Sequence, residues 1–358
     1  MTYNIALNFE DGVTRVITCN AGETVLDAAY RAQLNLPMDC SDGVCGTCKG
    51  TCQQGQFDLG EEFIEDALSD EEVEQGKVLT CQMVPSSDCV VEIPAASSLC
   101  SKSANQAVTG TLDEVNLISP TAIEVKITAD SDIGFLPGQY VNIQVPGTDQ
   151  TRAYSFSSRP GSRELSFLIR NVPGGLMSSW LVGKARAGDK VTLTGPMGVF
   201  YLRPVERPVL MLAGGTGLAP FLAMLESVKE KGCDQPTHLI YGVTNDEDLV
   251  CLTALEAFAA GIDNFTFKTV VAGEASDHPR KGYVTGHMED APINDGDVDV
   301  YLCGPPPMVN AVLGYFDAQG IKPNSFHYEK FAPSAPLAQQ SVVQEPALKE
   351  PVVKEKVA

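Results

Sequence analysis

The chain has 358 residues, enough for two or three domains with cores of their own, and 44% of them are hydrophobic, as in soluble globular proteins. A net charge of −21 without a basic stripe excludes nucleic-acid binding. No apolar run of about 18 to 20 residues and no basic-then-apolar leader occurs, so no membrane span is expected and a cytoplasmic location is.

In chain order, residues 1–97 form the first block. It holds a cysteine cluster, the acidic run GEEFIEDALSDEEVE and the strand-like VVEIP. The chain's first hundred positions carry seventeen Asp and Glu against four Lys and Arg, a field suited to a basic partner. Ser69 followed by Glu72 is a capping box and predicts a short helix. The small polar segment around 98–107 reads as a linker. From 108 to 205, short alternating runs such as TAIEVKITA, QYVNIQV and ELSFLIR, separated by Pro and Gly, predict an antiparallel β-barrel or sandwich. From 206 to 332, apolar strands alternate with helical stretches, as in a parallel α/β domain. The tail 333–358, rich in Pro, Gln, Lys and Glu without a period, is expected to be disordered.

Eleven cysteines, an odd number in a reducing compartment, point away from a disulfide framework. Cys40, Cys45 and Cys48 have the spacing C-x4-C-x2-C of plant-type [2Fe–2S] sites, which need a distant fourth ligand. Cys52 and Cys81 are the candidates. The stretch after Cys48 reads as a strand, and four residues of strand carry the chain about 13 Å away. Cys81, in KVLTCQM, can return from another element and is the better fourth ligand. Gly43 and Gly46 suit a loop wrapped round a cluster. Zinc, the competing reading of a C-x2-C pair, usually takes two matched pairs, and one is present. Cys19, Cys52, Cys89, Cys100, Cys233 and Cys251 read as small buried hydrophobes or incidental thiols. Loop, spacing and distal cysteine together resemble a plant-type ferredoxin domain, which implies a β-grasp fold over 1–97.

Arg152-Ala-Tyr154-Ser155 resembles the R-x-Y-S motif of the ferredoxin–NADP reductase superfamily. A tyrosine ring can stack on a flavin, a serine hydroxyl suits its N5 edge, and a guanidinium suits phosphate. Phe167, Ile169 and Arg170 resemble the strand beside the adenylate. Gly174, Gly175, Met177 and Ser178 lie at a helix start whose amides can hold a pyrophosphate. PGQY and GPMGVF stand in the places this superfamily expects. The resemblance implies FAD rather than FMN.

AGGTGLAP follows the strand PVLML and precedes a helix, so Gly215, Thr216 and Gly217 can approach a dinucleotide closely. LCGPPPM, with Cys303, Gly304 and Pro305, resembles the companion motif of the same superfamily. By that resemblance Thr216 and Cys303 lie near the nicotinamide, while Glu329 and Phe331 of HYEKF face the flavin. Ser155, Cys303 and Glu329 are thus the expected catalytic group. The strand THLIYGV is followed by Asp246, Glu247 and Asp248 without Arg or Lys. Acids there repel a 2′-phosphate and accept from a ribose hydroxyl, so NADH is expected, with Asp246 and Asp248 as its contacts.

A hydride carries two electrons and a [2Fe–2S] cluster takes one, so a flavin must divide the pair. The order ferredoxin, FAD barrel, NAD domain resembles reductase components of bacterial multicomponent oxygenases. FEDGVTR, AAYRAQLNLPMDC and YGVTNDEDL resemble the benzoate, toluate and anthranilate 1,2-dioxygenase reductases in particular. This implies a Rieske-type oxygenase as electron acceptor, with 61–74 as a candidate docking face or simply a solvated helix, and a monomeric chain. A reductase for a diiron monooxygenase shares the modular order, and a redox-sensing flavoprotein is the reading of another class. The four histidines are expected to be surface or packing residues.

Overall fold

The computed structural model describes residues 2–38, 43–44, 46–60, 63–65, 67–100, 106–288 and 293–331. Cys40 and Cys45, three acids of the 61–74 run, part of the expected linker and the expected tail 333–358 lie outside the described residues.

The first unit runs β1 (Thr2–Phe9), β2 (Thr14–Asn20), α1 (Val25–Arg31), β3 (Lys49–Gln54), β4 (Phe57–Asp58), α2 (Asp70–Glu74), β5 (Lys77–Leu79), β6 (Val84–Pro85) and β7 (Cys89–Ile93). Five strands make a mixed sheet in the order β2-β1-β7-β3-β5, with β1 and β7 parallel, and β4 pairs separately with β6. Ile5, Leu7 and Phe9 alternate inward along β1, as period-2 geometry requires, and meet Val25, Leu26 and Ala29 of α1. The helix predicted at Ser69 is present, its capping box closed by Ser69 and Glu72 in both directions.

The expected linker starts as part of this unit. Ser97–Cys100 forms a short 3₁₀ turn held by Asp11, whose Oδ2 accepts from the Ser97 amide at 2.9 Å and hydroxyl at 2.7 Å. Cys100 is buried in the first core, and its carbonyl accepts from the Asn35 amide at 2.8 Å. Polar composition concealed Cys100, which docks the segment on the first core.

The second unit comprises β8 (Gln106–Ser119), β9 (Ala122–Ala129), β10 (Tyr140–Gln144), β11 (Thr151–Ser155), β12 (Glu164–Arg170), α3 (Leu176–Gly183) and β13 (Lys190–Met197). Its antiparallel sheet has the order β11-β10-β13-β8-β9-β12, and a bridge between Phe156 and Phe167 links the two ends. Phe156 is fully buried, stacked on Phe135 at 3.9 Å between centroids and 5.5 Å from Phe167.

The third unit is a parallel sheet, β16-β15-β14-β17-β18, built from β14 (Val209–Gly214), α4 (Ala219–Lys231), β15 (Thr237–Val243), α5 (Leu252–Gly261), β16 (Phe265–Val271), β17 (Asp299–Gly304), α6 (Pro306–Gln319) and β18 (Ser325–Lys330). β14 and β17 are buried at every position, as strands covered on both faces are. No described helix is long and apolar enough to cross a membrane.

Arg203 ties the three units together. Its Nη2 is 2.8 Å from Glu10 Oε2, its Nη1 donates to the carbonyls of Val199 and Tyr201, and its amide donates to Tyr301 Oη at 3.0 Å. Across the other seam, Leu168 and Phe200 pack into the core of α4 and β14.

Trp180, the one tryptophan, packs on the second core and reports on that unit alone. Phe156→Ala should lower the stability seen by Trp180 fluorescence in a denaturant titration by about 3–5 kcal/mol. A shift within error would mean that the ring stack does not hold this unit together.

Candidate functional site

In the third unit the strands run outward in both directions from β14 and β17, so their C-terminal ends form a topological switch point, where such sheets take their ligands. Both strands end in glycine. A Cβ on Gly214 would lie 2.5 Å from Met308 Sδ, and one on Gly217 only 2.4 Å from the Cys303 carbonyl oxygen. Glycine here lets the turn Gly215–Leu218, with Thr216 half-buried, lie against the end of β17. Gly215 adopts a φ of +55° with open space around its Cα. Gly304 and Pro305 complete the opposite wall, Pro305 as the N-cap of α6.

Three residues expected at the reacting centre come together. Ser155, buried at the end of β11, donates to Glu329 Oε2 at 3.4 Å across 174 positions of sequence. Glu329 stands in register with Cys303 on the neighbouring strand, and the Phe331 amide donates to the Gly304 carbonyl at 2.8 Å. Burial pushes the Cys303 thiol well above its ordinary pKa, so it stays neutral. Tyr140, in the quoted PGQY but not singled out, is in register with Ser155, and its ring fills the space beside Gly198.

The expected FAD residues divide into two groups. Arg152 and Tyr154 share one face of β11 and are half-buried. The guanidinium is braced by Thr151 O at 2.7 Å and Gln150 Oε1 at 2.9 Å. Gly174 has a φ of +71° and open space, and Gly175 is the N-cap of α3 with no side chain to cap it, which leaves the first amides of α3 directed at a ligand. These features fit a flavin dinucleotide. Phe167, Ile169 and Met177, by contrast, have their side chains inside the second core, where strand alternation turns Phe167 and Ile169 inward. Any contact they make with a cofactor is through backbone. Ser178 is buried and closes its own loop, accepting from the Val172 amide and donating to the Arg170 carbonyl. Arg170 is exposed at the end of β12.

Cys48 and Cys81 are buried with their sulfurs 3.2 Å apart, brought together because β3 pairs with β5 and the chain turns after Leu79. Gly43 and Gly46 both have positive φ, +72° and +74°. Two converging cysteine sulfurs beside left-handed glycines are half of the four-cysteine donor set of a [2Fe–2S] cluster, and these residues fit one. Cys52 sits in β3, as expected of a strand residue. Burial pushes its thiol up to about 11, Cys19 to about 11, Cys100 to about 12 and Cys251 to about 11, so these thiols stay neutral within the fold.

The acidic pair after β15 is engaged within the fold. Asp246 Oδ1 accepts from Ser276 Oγ at 2.7 Å. Asp248 Oδ2 accepts from the Asn245 amide at 3.0 Å, and its Oδ1 from the Thr121 hydroxyl of the second unit. Sequence alone misses this because Thr121 lies 127 positions away. His238 and His327 are pushed down to about 4 by burial, and His327 packs on Tyr301, consistent with packing roles.

Gly217→Val should push the turn off Cys303 and raise the KM for a nicotinamide nucleotide by at least about tenfold, the scale of one overpacked contact. The Trp180 transition should stay in place. An unchanged KM would remove this crevice as the nucleotide site.

Three family models match in succession: a 2Fe-2S iron-sulfur cluster binding domain over 8–86, an oxidoreductase FAD-binding domain over 110–201 and an oxidoreductase NAD-binding domain over 211–313. The toluate 1,2-dioxygenase electron transfer component of Pseudomonas putida is 58% identical over 337 residues, covering 94% of this chain and 100% of that one. The 2-halobenzoate 1,2-dioxygenase electron transfer component of Burkholderia cepacia is 47% identical, covering 93% and 99%. A crystal structure of an Amycolatopsis cytochrome P450 reductase superposes with a TM-score of 0.69 at 32% identity, over 92% of this chain and 99% of that one. The three units therefore carry the iron–sulfur, flavin and nicotinamide functions in that order, and the chain belongs to the family of dioxygenase electron transfer components.

Proposed function

We propose that this chain is the NADH-dependent reductase of a benzoate-type aromatic ring-hydroxylating dioxygenase. It converts NADH to NAD⁺ and a proton while delivering two electrons, one at a time, to a Rieske-type oxygenase component. The proposed domains are a β-grasp ferredoxin domain over 1–97, a connection over 98–107, an antiparallel FAD barrel over 108–205 and an α/β NAD domain over 206–332. FAD supplies two-electron acceptance and one-electron release, and [2Fe–2S] supplies one-electron carriage. The chain acts as a monomer in the cytoplasm.

The observation that carries this reading is the Ser155–Glu329 contact, in register with Cys303 and beside the glycine crevice. It brings the second and third units to one point. Tyr154 offers a ring for stacking, Arg152 a fixed cation for phosphate and the amides of α3 a seat for the diphosphate. The Ser155 hydroxyl donates to the Glu329 carboxylate at that point, and neutral, buried Cys303 keeps water from the floor. Cys48 and Cys81, with Cys40 and Cys45, hold the cluster. Asp246 and Asp248 favour NADH by their charge, which disfavours a 2′-phosphate even though both side chains are tied into the fold. The exposed acids Asp70, Glu71 and Glu74 form the docking face for the oxygenase, and Glu72 is turned inward.

Reconstitution tests these assignments together. With a benzoate-type oxygenase, NADH consumption should match product formation, and NADPH should support a kcat/KM lower by about tenfold or more. Charge reversal at Asp70, Glu71 and Glu74 should raise the KM for the oxygenase and flatten its salt dependence. Support of a diiron hydroxylase in place of the Rieske partner would contradict the proposal, as would equal rates with NADPH.

A further inference from the structure

Lys49 follows the ligand Cys48 directly and opens β3. Its ammonium turns away from solvent, to 2.5 Å from Glu72 Oε1 and 2.9 Å from Tyr328 Oη, while the Tyr328 hydroxyl donates to the same Glu72 oxygen at 2.9 Å. The triangle is closed. The side chains of Lys49 and Glu72 are only 14% and 23% exposed, so this is not a solvated surface pair of negligible worth. Glu72 is fixed from behind as well, since its other oxygen accepts from the Ser69 amide at 3.0 Å. Burial by itself would raise the Glu72 carboxyl, but the Lys49 charge and hydrogen bond hold it below the usual carboxylate range.

Two of these residues belong to the first unit and Tyr328 to the third. Tyr328 immediately precedes Glu329, which reaches Ser155 in the second unit. Burying an ion pair gains little stability over apolar packing, and its best-attested use is to fix registry between elements. From this geometry we infer that Lys49, Glu72 and Tyr328 are positioning residues: they lock the Cys48 end of the cluster loop onto β18 and so govern electron passage from flavin to cluster, leaving hydride transfer untouched. The inference rests on the electron path proposed above. In the step concerned, one electron leaves the reduced flavin and one enters the oxidised cluster.

The test is anaerobic stopped-flow mixing of the holoprotein with NADH, with flavin bleaching and cluster bleaching followed as separate phases. Tyr328→Phe keeps the ring and its packing against Phe326 and removes the hydroxyl. Glu72→Gln keeps a capping box, which accepts Gln, and removes the charge facing Lys49. Both variants should retain the wild-type flavin phase and slow the cluster phase about tenfold, the scale of a lost hydrogen bond to a buried charge. Amide hydrogen exchange should also rise in segments 69–79 and 325–330 of both variants, with 176–183 unchanged. A wild-type cluster phase in both variants, or unchanged exchange in both segments, overturns the inference while leaving the electron path standing. A wild-type protein whose flavin is reduced while its cluster stays oxidised overturns the electron path, and the triad's role with it.

Discussion

The structure depends on the alternation of side chains along β18. Successive residues of a strand point to opposite faces, so Tyr328 and Glu329, neighbours in sequence, reach different units. Tyr328 meets Lys49 and Glu72 of the iron–sulfur unit, and Glu329 meets Ser155 of the flavin unit. The strand itself pairs with β17, which carries Cys303 and Gly304 at the glycine crevice. An edge strand, normally a liability to be covered, is thus the element on which all three redox sites are indexed.

Around that strand the polar and apolar contributions divide the work. Leu168, Phe200 and Met224 bury the seam between the flavin and nicotinamide units, where Gly138 permits the close approach of Met224. The iron–sulfur unit, whose surface is strongly acidic, is held to the other units by Arg203 on its Glu10 and by Tyr328, whose hydroxyl meets its Lys49–Glu72 pair. The acids of α2 therefore serve two ends: Glu72 points inward to the fold, and its neighbours stay in solvent.

Much of this was legible in the sequence because it rests on local spacing. The C-x4-C-x2-C run announced a 2Fe-2S domain, Ser69 and Glu72 announced α2, and the glycine turns after β14 and β17 announced the close approach of those two strand ends. What stayed hidden lies between residues far apart in the chain. Nothing near Tyr328 signals Lys49, 279 positions away, and nothing near Asp248 signals Thr121. The FLIR segment shows a different loss: read as a motif, Phe167 and Ile169 belong to the cofactor, whereas read as alternation they face the core with Leu168 turned to the next unit. Similarly, Cys100 was masked by the small polar residues around it and is buried in the first core.

The central claim is that one chain accepts hydride at one end and stores electrons in two centres. It is tested most directly by anaerobic titration with NADH, following the flavin absorbance and the cluster's paramagnetic signal. A flavin that takes two electrons and a cluster that takes one require about 1.5 equivalents of NADH per chain for full reduction. An endpoint at about one equivalent, with the flavin bleached and no paramagnetic cluster formed, would contradict it.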